Sequence, residues 1–204
     1  TSFAALADRT AGLMGAIGLG RADVLGWSMG GFVAQQLAVR HPERVRRLVL
    51  AGTNAGGDAA VLGPPADQRI DSDPSPAEAA VLRVLYPRNR AGRAAGRAFL
   101  RRLDTASERG EIPGDFRVSA RTVRAQVAAE DGWLRSDANA DALRTLRAPT
   151  LVAAGRADRV VPPVNLRRIA ALIPGARLQT YPGAHAFLFQ HRVRFARAVD
   201  AFLR

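Results

Sequence analysis

The sequence predicts an α/β fold in which helices cover both faces of a mostly parallel sheet. Near the start of the chain, a strand, a helix and a second strand follow one another within about thirty residues, and such a βαβ unit has parallel strands. The strand pattern then stops after Thr53 and returns only at Pro149, with helical patterns in between. We therefore expect three parts: residues 1–55 as the first part of the core, residues 56–147 as a helical insertion and residues 148–204 as the second part of the core.

The composition limits the classes of function. The chain has 204 residues, 48% of them hydrophobic, which suffices for one domain with a sizeable core. No apolar run approaches the ~18 residues of a membrane-spanning helix, so no membrane partner is expected. Cysteine is absent, which excludes disulfides, thiolate metal sites and cysteine nucleophiles and fits a cytoplasmic location. We expect neither a metal ion nor a cofactor.

The net charge of +12 comes from arginine alone, because the sequence contains no lysine. A Walker A lysine and a Schiff-base lysine are therefore excluded. A large positive charge can indicate a nucleic-acid partner, but these arginines are scattered and no aromatic residues are interleaved with them for base stacking. We expect a solvated surface and no nucleic-acid partner. A mild cluster consists of Arg88, Arg90, Arg93, Arg97, Arg101 and Arg102.

The first quarter of the chain predicts helix, strand, helix and strand. Ser2 is a candidate N-cap for a first helix. A short strand follows over residues 22–25, and a second helix covers residues 32–39 and ends before Pro42, because the residue before a proline avoids helical angles. Residues 45–50 predict a second, buried strand. The apolar stripe of the first helix has spacings of three and four and consists of Phe3, Leu6, Ala7, Thr10, Leu13, Met14 and Ile17.

A loop rich in glycine and proline follows the second strand, and helical patterns come after it. Residues 75–78, Ser-Pro-Ala-Glu, form a capping box with proline at the first helical position. Two further helices are predicted over residues 91–103 and 119–129. In the second of these, Val123 and Val127 are expected to face inward.

The last quarter of the chain restores the alternation of strands and helices. Residues 149–154 predict a strand, and residues 176–181 predict another. The helix between them carries apolar residues at i, i+3, i+4 and i+7, and a final helix closes the chain. The inward residues are Leu166, Ile169, Ala170 and Ile173 in the first helix, and Phe195, Val199, Phe202 and Leu203 in the second.

A G-x-S-x-G pentapeptide, residues 26–30, lies between the first strand and the second helix. In this context the motif predicts a sharp turn that presents the Ser28 hydroxyl at a helix N-terminus, where free N–H groups and the helix dipole favour an anion. We expect glycine at positions 26 and 30 because the turn is too tight for side chains.

A serine hydroxyl is a weak nucleophile and needs a base, which in turn needs an orienting carboxylate. His41, in a turn that ends a helix, and His191, at the start of the last helix, are typical of surface or capping positions. His185 lies in a loop after the last strand, and Asp158 lies in a loop after the preceding one. With Ser28, they would meet at the carboxyl ends of parallel strands, where sites form in open sheets.

Three stretches together resemble the α/β-hydrolase superfamily, in its form with a helical cap. They are residues 24–39 with the serine motif, residues 155–162 with the pattern G-x-x-D-x-V-x-P, and residues 181–186 with the histidine. The order Ser, Asp, His along the chain is the order of that superfamily. The resemblance implies an α/β-hydrolase fold whose insertion is the cap over the site.

The resemblance also implies roles for individual residues. Ser28 would be the nucleophile, His185 would move its proton, and Asp158 would orient the imidazole. The Met29 backbone N–H would be one donor of the oxyanion hole. Trp27, Trp133 and Val160 are candidate pocket residues, although core packing explains Trp133 equally well.

The implied activity is cleavage of a small-molecule ester or related acyl bond through an acyl-serine. Alternatives on the same three residues are a lactonase similar to 3-oxoadipate enol-lactonase, a carbon–carbon bond hydrolase, a cofactor-free haloperoxidase or perhydrolase, and an aminopeptidase. Haloalkane dehalogenases and epoxide hydrolases use aspartate at the nucleophile position and are set aside. A truncated, non-catalytic protein on the same scaffold is the alternative of another class.

Members of the superfamily carry strands before the helix that opens this chain, and a His-Gly loop there supplies the second oxyanion donor. No His-Gly pair occurs in this sequence. We expect those N-terminal strands to be absent from the chain, and the loss of one donor lowers kcat by about 10²–10³. We therefore expect the chain alone to be weakly active or poorly soluble, and its first strand to offer an open edge for an oligomer.

Overall fold

The computed structural model describes residues 2–73, 77–112 and 118–204. Within them the strands form one parallel sheet whose spatial order follows the chain, β1-β2-β3-β4. The predicted parallel sheet is confirmed. The strands are β1 (Ala22–Trp27), β2 (Val45–Ala51), β3 (Thr150–Gly155) and β4 (Arg177–Tyr181).

Two helices flank β1 in the chain. Helix α1 (Phe3–Ala16) begins at the predicted cap, where the Ser2 hydroxyl accepts a hydrogen bond from the Ala5 N–H at 3.2 Å. Helix α2 (Met29–Arg40) connects β1 to β2. A single 3-10 turn, Pro42–Arg44, then leads into β2.

The apolar stripe predicted for α1 is too wide. Phe3 and Met14 are buried, but Leu13 and Ile17 are 61% and 66% exposed. The buried line also runs through Ala7 and Ala11. Small residues let α1 lie close to helix α2, so only a narrow face of α1 is covered.

The described part of the chain between β2 and β3 contains helices and loops. Two of the helices extend further than their patterns predicted, and the proposed capping box lies partly outside the described residues. The helices are α3 (Pro65–Asp71), α4 (Glu78–Leu85), α5 (Arg90–Glu108), α6 (Ala120–Leu134) and α7 (Ala138–Leu143). Of these, α7 contributes Leu143 to the hydrophobic core that also contains Leu48 and Leu50 of β2.

The last quarter of the chain alternates as predicted, with one additional short helix. Helix α8 (Val164–Leu172) joins β3 to β4, and α10 (Arg192–Leu203) closes the chain. The additional helix is α9 (Phe187–Gln190), which follows the histidine loop directly.

Alternate residues of β2 face the two sides of the sheet, and each side has its own core. Leu48 and Leu50 pack with residues of α1, α2 and α8. Val49 and Ala51 pack on the opposite side, among aromatic residues of α9 and α10. Helices therefore cover both faces, as predicted, which explains why successive residues of β2 from Leu48 to Ala51 are all apolar and buried.

Candidate active site

Ser28 occupies a strained turn between β1 and α2. Its φ of 54° and ψ of −128° make it the one non-glycine residue with positive φ among those described. The turn is held by the Ser28 N–H, which donates to the Ala51 carbonyl at 2.9 Å, and by the Gly31 N–H, which donates to the Ser28 carbonyl at 2.8 Å. A side chain in such a region costs on the order of 1–3 kcal/mol, and strain of this kind clusters at functional sites.

Two glycines around this turn are required by steric crowding, and only one of them belongs to the pentapeptide. A Cβ at Gly26 would overlap the Gly30 carbonyl and would lie 2.7 Å from the Ala34 Cβ, so the prediction for Gly26 is confirmed. At Gly30, however, a Cβ would meet nothing within 4 Å, and that steric prediction is wrong. The crowded position is Gly31, where a Cβ would lie 2.5 Å from Thr53. Gly30 is exposed, whereas Gly31 faces the loop after β2.

The three predicted side chains form one hydrogen-bonded row. His185 Nε2 lies 2.9 Å from Ser28 Oγ, and His185 Nδ1 lies 2.8 Å from Asp158 Oδ2. Because a carboxylate only accepts, Nδ1–H donates to Asp158, and the neutral imidazole accepts the Ser28 proton at Nε2. The residues follow the carboxyl ends of β1, β3 and β4.

Asp158 is fixed on both of its oxygens. Its Oδ1 accepts hydrogen bonds from the backbone N–H groups of Val160 and Val161, each at 2.9 Å. Both Asp158 and His185 are buried, the histidine to 1% exposure. The carboxylate can therefore hold one orientation of the imidazole without competition from water.

Opposing effects act on the protonation of His185. Burial lowers the pKa of the imidazole, but the charge and hydrogen bond of Asp158, together with the charge of Asp71, outweigh it and raise the pKa above 6.5. Asp71 is exposed, but the protein around the cavity partly desolvates its carboxylate. This desolvation raises the pKa of Asp71.

A cavity of about 380 Å³ opens in front of Ser28. Helices α3 and α6 form its roof, and the start of α2 and the Asp158 loop form its floor. Its size lies in the range of small-molecule sites. It is lined by Ser28, Met29, Phe32, Asn54, Leu62, Gln68, Asp71, Ser72, Val123, Gln126, Val127, Glu130, Asp131, Leu134, Val160 and Val161.

Of the three predicted pocket residues, Val160 lines this cavity and the two tryptophans do not. Trp27 instead supports the histidine loop: its Nε1–H donates to the His185 carbonyl at 3.1 Å, and its ring lies 5.2 Å from the imidazole. Trp133 stacks on Phe32 at 4.8 Å, behind the cavity wall. Each indole N–H needs an acceptor when buried. Trp27 uses a backbone carbonyl, and Trp133 bonds to Asn54, which lines the cavity while the Trp133 ring does not.

Sequence reasoning missed a buried amide network beneath the cavity. Trp133 Nε1–H donates to Asn54 Oδ1 at 2.9 Å, and the Gln35 amide donates to the Asn54 carbonyl at 2.9 Å. Asn139 in α7 donates to Gln35 Oε1 at 3.0 Å. The network fixes the loop after β2. A glutamine inside the apolar run of α2 was the available signal.

The insertion is tied directly to the loops that carry the acid and the histidine. Asp67 in α3 is buried and accepts from Arg159, beside the acid, at 2.7 Å and from Arg88 at 2.6 Å. The Gln68 amide donates to the Val160 carbonyl at 2.7 Å. On the other side, the Ala186 N–H donates to the Leu85 carbonyl at 2.8 Å.

The other two histidines have different partners. His41 ends α2 and is partly exposed, and its Nε2 lies 2.8 Å from Asp8 Oδ1. His191 is the N-cap residue of α10 and stacks on Tyr181 at 6.4 Å. Burial lowers the pKa of His191.

The described ranges contain neither a metal-binding cluster nor a membrane-spanning helix. No group of three or more histidine, cysteine, aspartate or glutamate side chains is arranged to hold a metal ion. No helix there is long and apolar enough to cross a membrane.

The sequence matches a known family. A family model described as the alpha/beta hydrolase fold matches residues 1–192. The chain therefore belongs to the α/β-hydrolase family, and the resemblance stated above is confirmed.

Individual relatives are hydrolases with different names. The chain is 32% identical to a poly(3-hydroxyalkanoate) depolymerase from Ectopseudomonas oleovorans, over 99% of this chain and 68% of the relative. It is also 32% identical to a 2-hydroxymuconate semialdehyde hydrolase from Pseudomonas putida, over 96% of this chain and 67% of the relative. A solved meta-cleavage product hydrolase from Pseudomonas fluorescens IP01 has the same fold, with a TM-score of 0.77 and 24% identity over 100% of this chain and 72% of that one. The chain thus spans about two thirds of the length of these curated relatives.

Proposed function

We propose that this hydrolase cleaves a carboxylic ester or related acyl bond through an acyl-serine intermediate. The observation that carries the proposal is the row of hydrogen bonds from Asp158 through His185 to Ser28, at 2.8 and 2.9 Å. The hydrolase names of the relatives support the reaction class, and the specific substrate is part of the proposal.

In the first half of the reaction, Ser28 Oγ attacks the carbonyl carbon while His185 Nε2 takes the hydroxyl proton. The tetrahedral intermediate then collapses, and the imidazolium returns the proton to the leaving alkoxide. In the second half, His185 takes a proton from water, which attacks the acyl-serine, and Ser28 leaves with that proton. Asp158 orients the ring and stabilises the imidazolium throughout.

The oxyanion of the intermediate needs donors that are already in place. In our proposal the Met29 N–H, the first of α2, is one such donor. Met29 lines the cavity, and no hydrogen bond from its N–H occurs within the described residues. The positive end of the α2 dipole adds to the same effect.

We also propose that the insertion acts as a cap. Helices α3 and α6 roof the cavity over Ser28, and the bonds of Asp67 and Gln68 hold that roof to the Asp158 loop. A small-molecule substrate would then lie between the cap and the carboxyl ends of the strands.

The test is covalent labelling. Ser28→Ala should abolish labelling by a neutral fluorophosphonate probe and turnover of p-nitrophenyl butyrate, because the probe needs the activated hydroxyl. The matched control is Ser107→Ala in α5, which should label like the parent. Equal labelling of Ser28→Ala and the parent would assign the nucleophile to another residue. Absence of labelling in the parent would favour the non-catalytic alternative.

A further inference from the structure

The charges around the cavity are opposite in sign to those of the molecule as a whole. The chain carries 30 arginines against 18 acidic residues. Three carboxylates nevertheless line the cavity in front of Ser28, and none of the described lining residues is an arginine. In a chain of this composition, a cavity wall of average makeup would be basic.

Two of the three carboxylates have no arginine partner in the described part of the chain, although the charge of Asp71 also acts on His185. Asp131 pairs with Arg135 at 3.5 Å, but no ion pair or hydrogen bond of Asp71 or Glu130 is found there. Asp71 ends α3 and Glu130 lies in α6, so the two helices that roof the cavity each contribute one acid that no arginine neutralises. Unpaired charges in a partly desolvated site are costly unless a ligand compensates them.

The negative charge of Asp71 also acts on Glu130. Desolvation raises the pKa of Glu130, and the negative charges of Asp71 and Asp131 raise it further. Repulsion of this kind across a cavity is relieved when a cation enters, and it is increased when an anion enters.

The rest of the wall is suited to a hydrocarbon chain. Val123, Val127 and Leu134 follow one another on the inner face of α6, and Val160 and Val161 lie opposite them near the acid loop. An acyl chain can pack between these residues, with its reacting carbonyl at Ser28 and its far end at the carboxylates.

We propose that Asp71 and Glu130 select substrates whose acyl chain ends in a protonated amine and reject substrates whose chain ends in a carboxylate. This inference rests on the function proposed above, because it names the substrate class of the same site. It makes Asp71 and Glu130 residues that determine specificity, while Ser28, His185 and Asp158 carry out the chemistry.

The test compares three p-nitrophenyl esters of similar length: 6-aminohexanoate, heptanoate and adipate. They end in an ammonium, a methyl group and a carboxylate. We expect kcat/KM to fall in that order, by about tenfold between neighbours, the ratio that ~1.4 kcal/mol produces. In the double variant Asp71→Asn with Glu130→Gln, the three values should converge. The matched control, Asp104→Asn on the exposed side of α5, should keep the order of the parent.

A binding measurement makes the inference independent of turnover. In Ser28→Ala, hexylammonium should raise the melting temperature and hexanoate should not, and the added Asp71→Asn and Glu130→Gln changes should remove the difference. Equal kcat/KM for the three esters, or a preference for adipate, would overturn the inference while labelling of Ser28 kept the proposed function intact. If the neutral probe failed to label the parent, the proposed function would fall, and the binding of hexylammonium would still decide the charge preference.

Discussion

At His185, the protonation state is set by neighbours that act in opposite directions. Burial alone would make the imidazole less basic, but Asp158 and Asp71 reverse that effect and leave the pKa above its ordinary value. A base with a raised pKa takes the Ser28 proton more readily, but it is also charged, and therefore inactive, over more of the acidic range.

The pH dependence of kcat/KM should follow from this shift. Protonated His185 cannot accept the Ser28 proton, so activity is lost as the pH falls through the pKa of the imidazole. Because that pKa is raised, the loss of activity should be centred above pH 6.5.

In the variant Asp158→Asn the centre of this loss should move to lower pH, and kcat should fall by about 10⁴, since the imidazole loses its orienting carboxylate. The measurement is kcat/KM for a neutral ester across the acidic and neutral range. An acidic limb centred at the same pH in both proteins would contradict the assignment of the base.

The catalytic candidates at the strand ends could be predicted from the sequence, whereas the residues that pack around them could not. Ser28, Asp158 and His185 each follow a strand, and parallel strands bring their carboxyl ends together whatever fills the loops between them. Asn54 and Gln35 meet only through the tertiary fold, by contacts that no local pattern encodes. Trp27 and Trp133 were expected in the pocket, but neither ring lines the cavity, and their N–H groups bond to the His185 carbonyl and to Asn54 Oδ1.

At the scale of the element, the turn between β1 and α2 depends on close approach of two backbone segments. A Cβ at Gly26 would meet a carbonyl group, which cannot rotate away as a side chain would. The neighbouring Gly30 has open space around it, so the two glycines of one motif have different structural roles.

The pair Gly26→Ala and Gly30→Ala should separate these roles. Gly26→Ala should lower the free energy of unfolding by about 1–3 kcal/mol or more, because the overlap forces the start of α2 away from β1. Gly30→Ala should leave it unchanged or raise it by up to ~1 kcal/mol, since alanine favours a helix over glycine. Urea denaturation of both variants measures the difference. A similar loss in both would show that the space at Gly30 is needed after all.

Helix boundaries illustrate where pattern reading fails. Helix α6 was expected to stop at Ala129, before Glu130, Asp131 and Gly132, but it continues to Leu134. Gly132 lies in open space, so the helix tolerates it, and the two acids lie on the face that lines the cavity. Glu130 and Asp131, which along the sequence indicate the end of the helix, therefore form part of the cavity wall.

At the scale of the whole molecule, the sheet has an edge on each side within the described residues. β1 pairs only with β2, and β4 pairs only with β3. β1 is the more apolar of the two, and its Leu25 is 45% exposed, whereas β4 consists mainly of polar residues around Leu178. Charged and polar side chains protect an edge from pairing with another chain, and apolar ones do not.

Self-association through β1 stays a prediction, with a direct test. Leu25→Lys should shift the chain toward monomer in sedimentation velocity, because a lysine on an edge strand opposes strand pairing between copies. Leu178→Lys, at a site 51% exposed on the opposite edge, is the matched control and should leave the distribution unchanged. A parent that is monomeric at all concentrations would refute the prediction.

The contrast between the net charge of +12 and the acidic cavity has a consequence for how ligands arrive. A cation far from the molecule is repelled by the sum of all charges, and only near the cavity mouth does it meet the carboxylates. Salt at 0.1 M screens interactions beyond about 10 Å, so it removes the distant repulsion and leaves most of the short-range attraction. Moderate salt should therefore speed the capture of a cationic substrate by this protein, the reverse of the slowing seen when long-range attraction steers a ligand to its site.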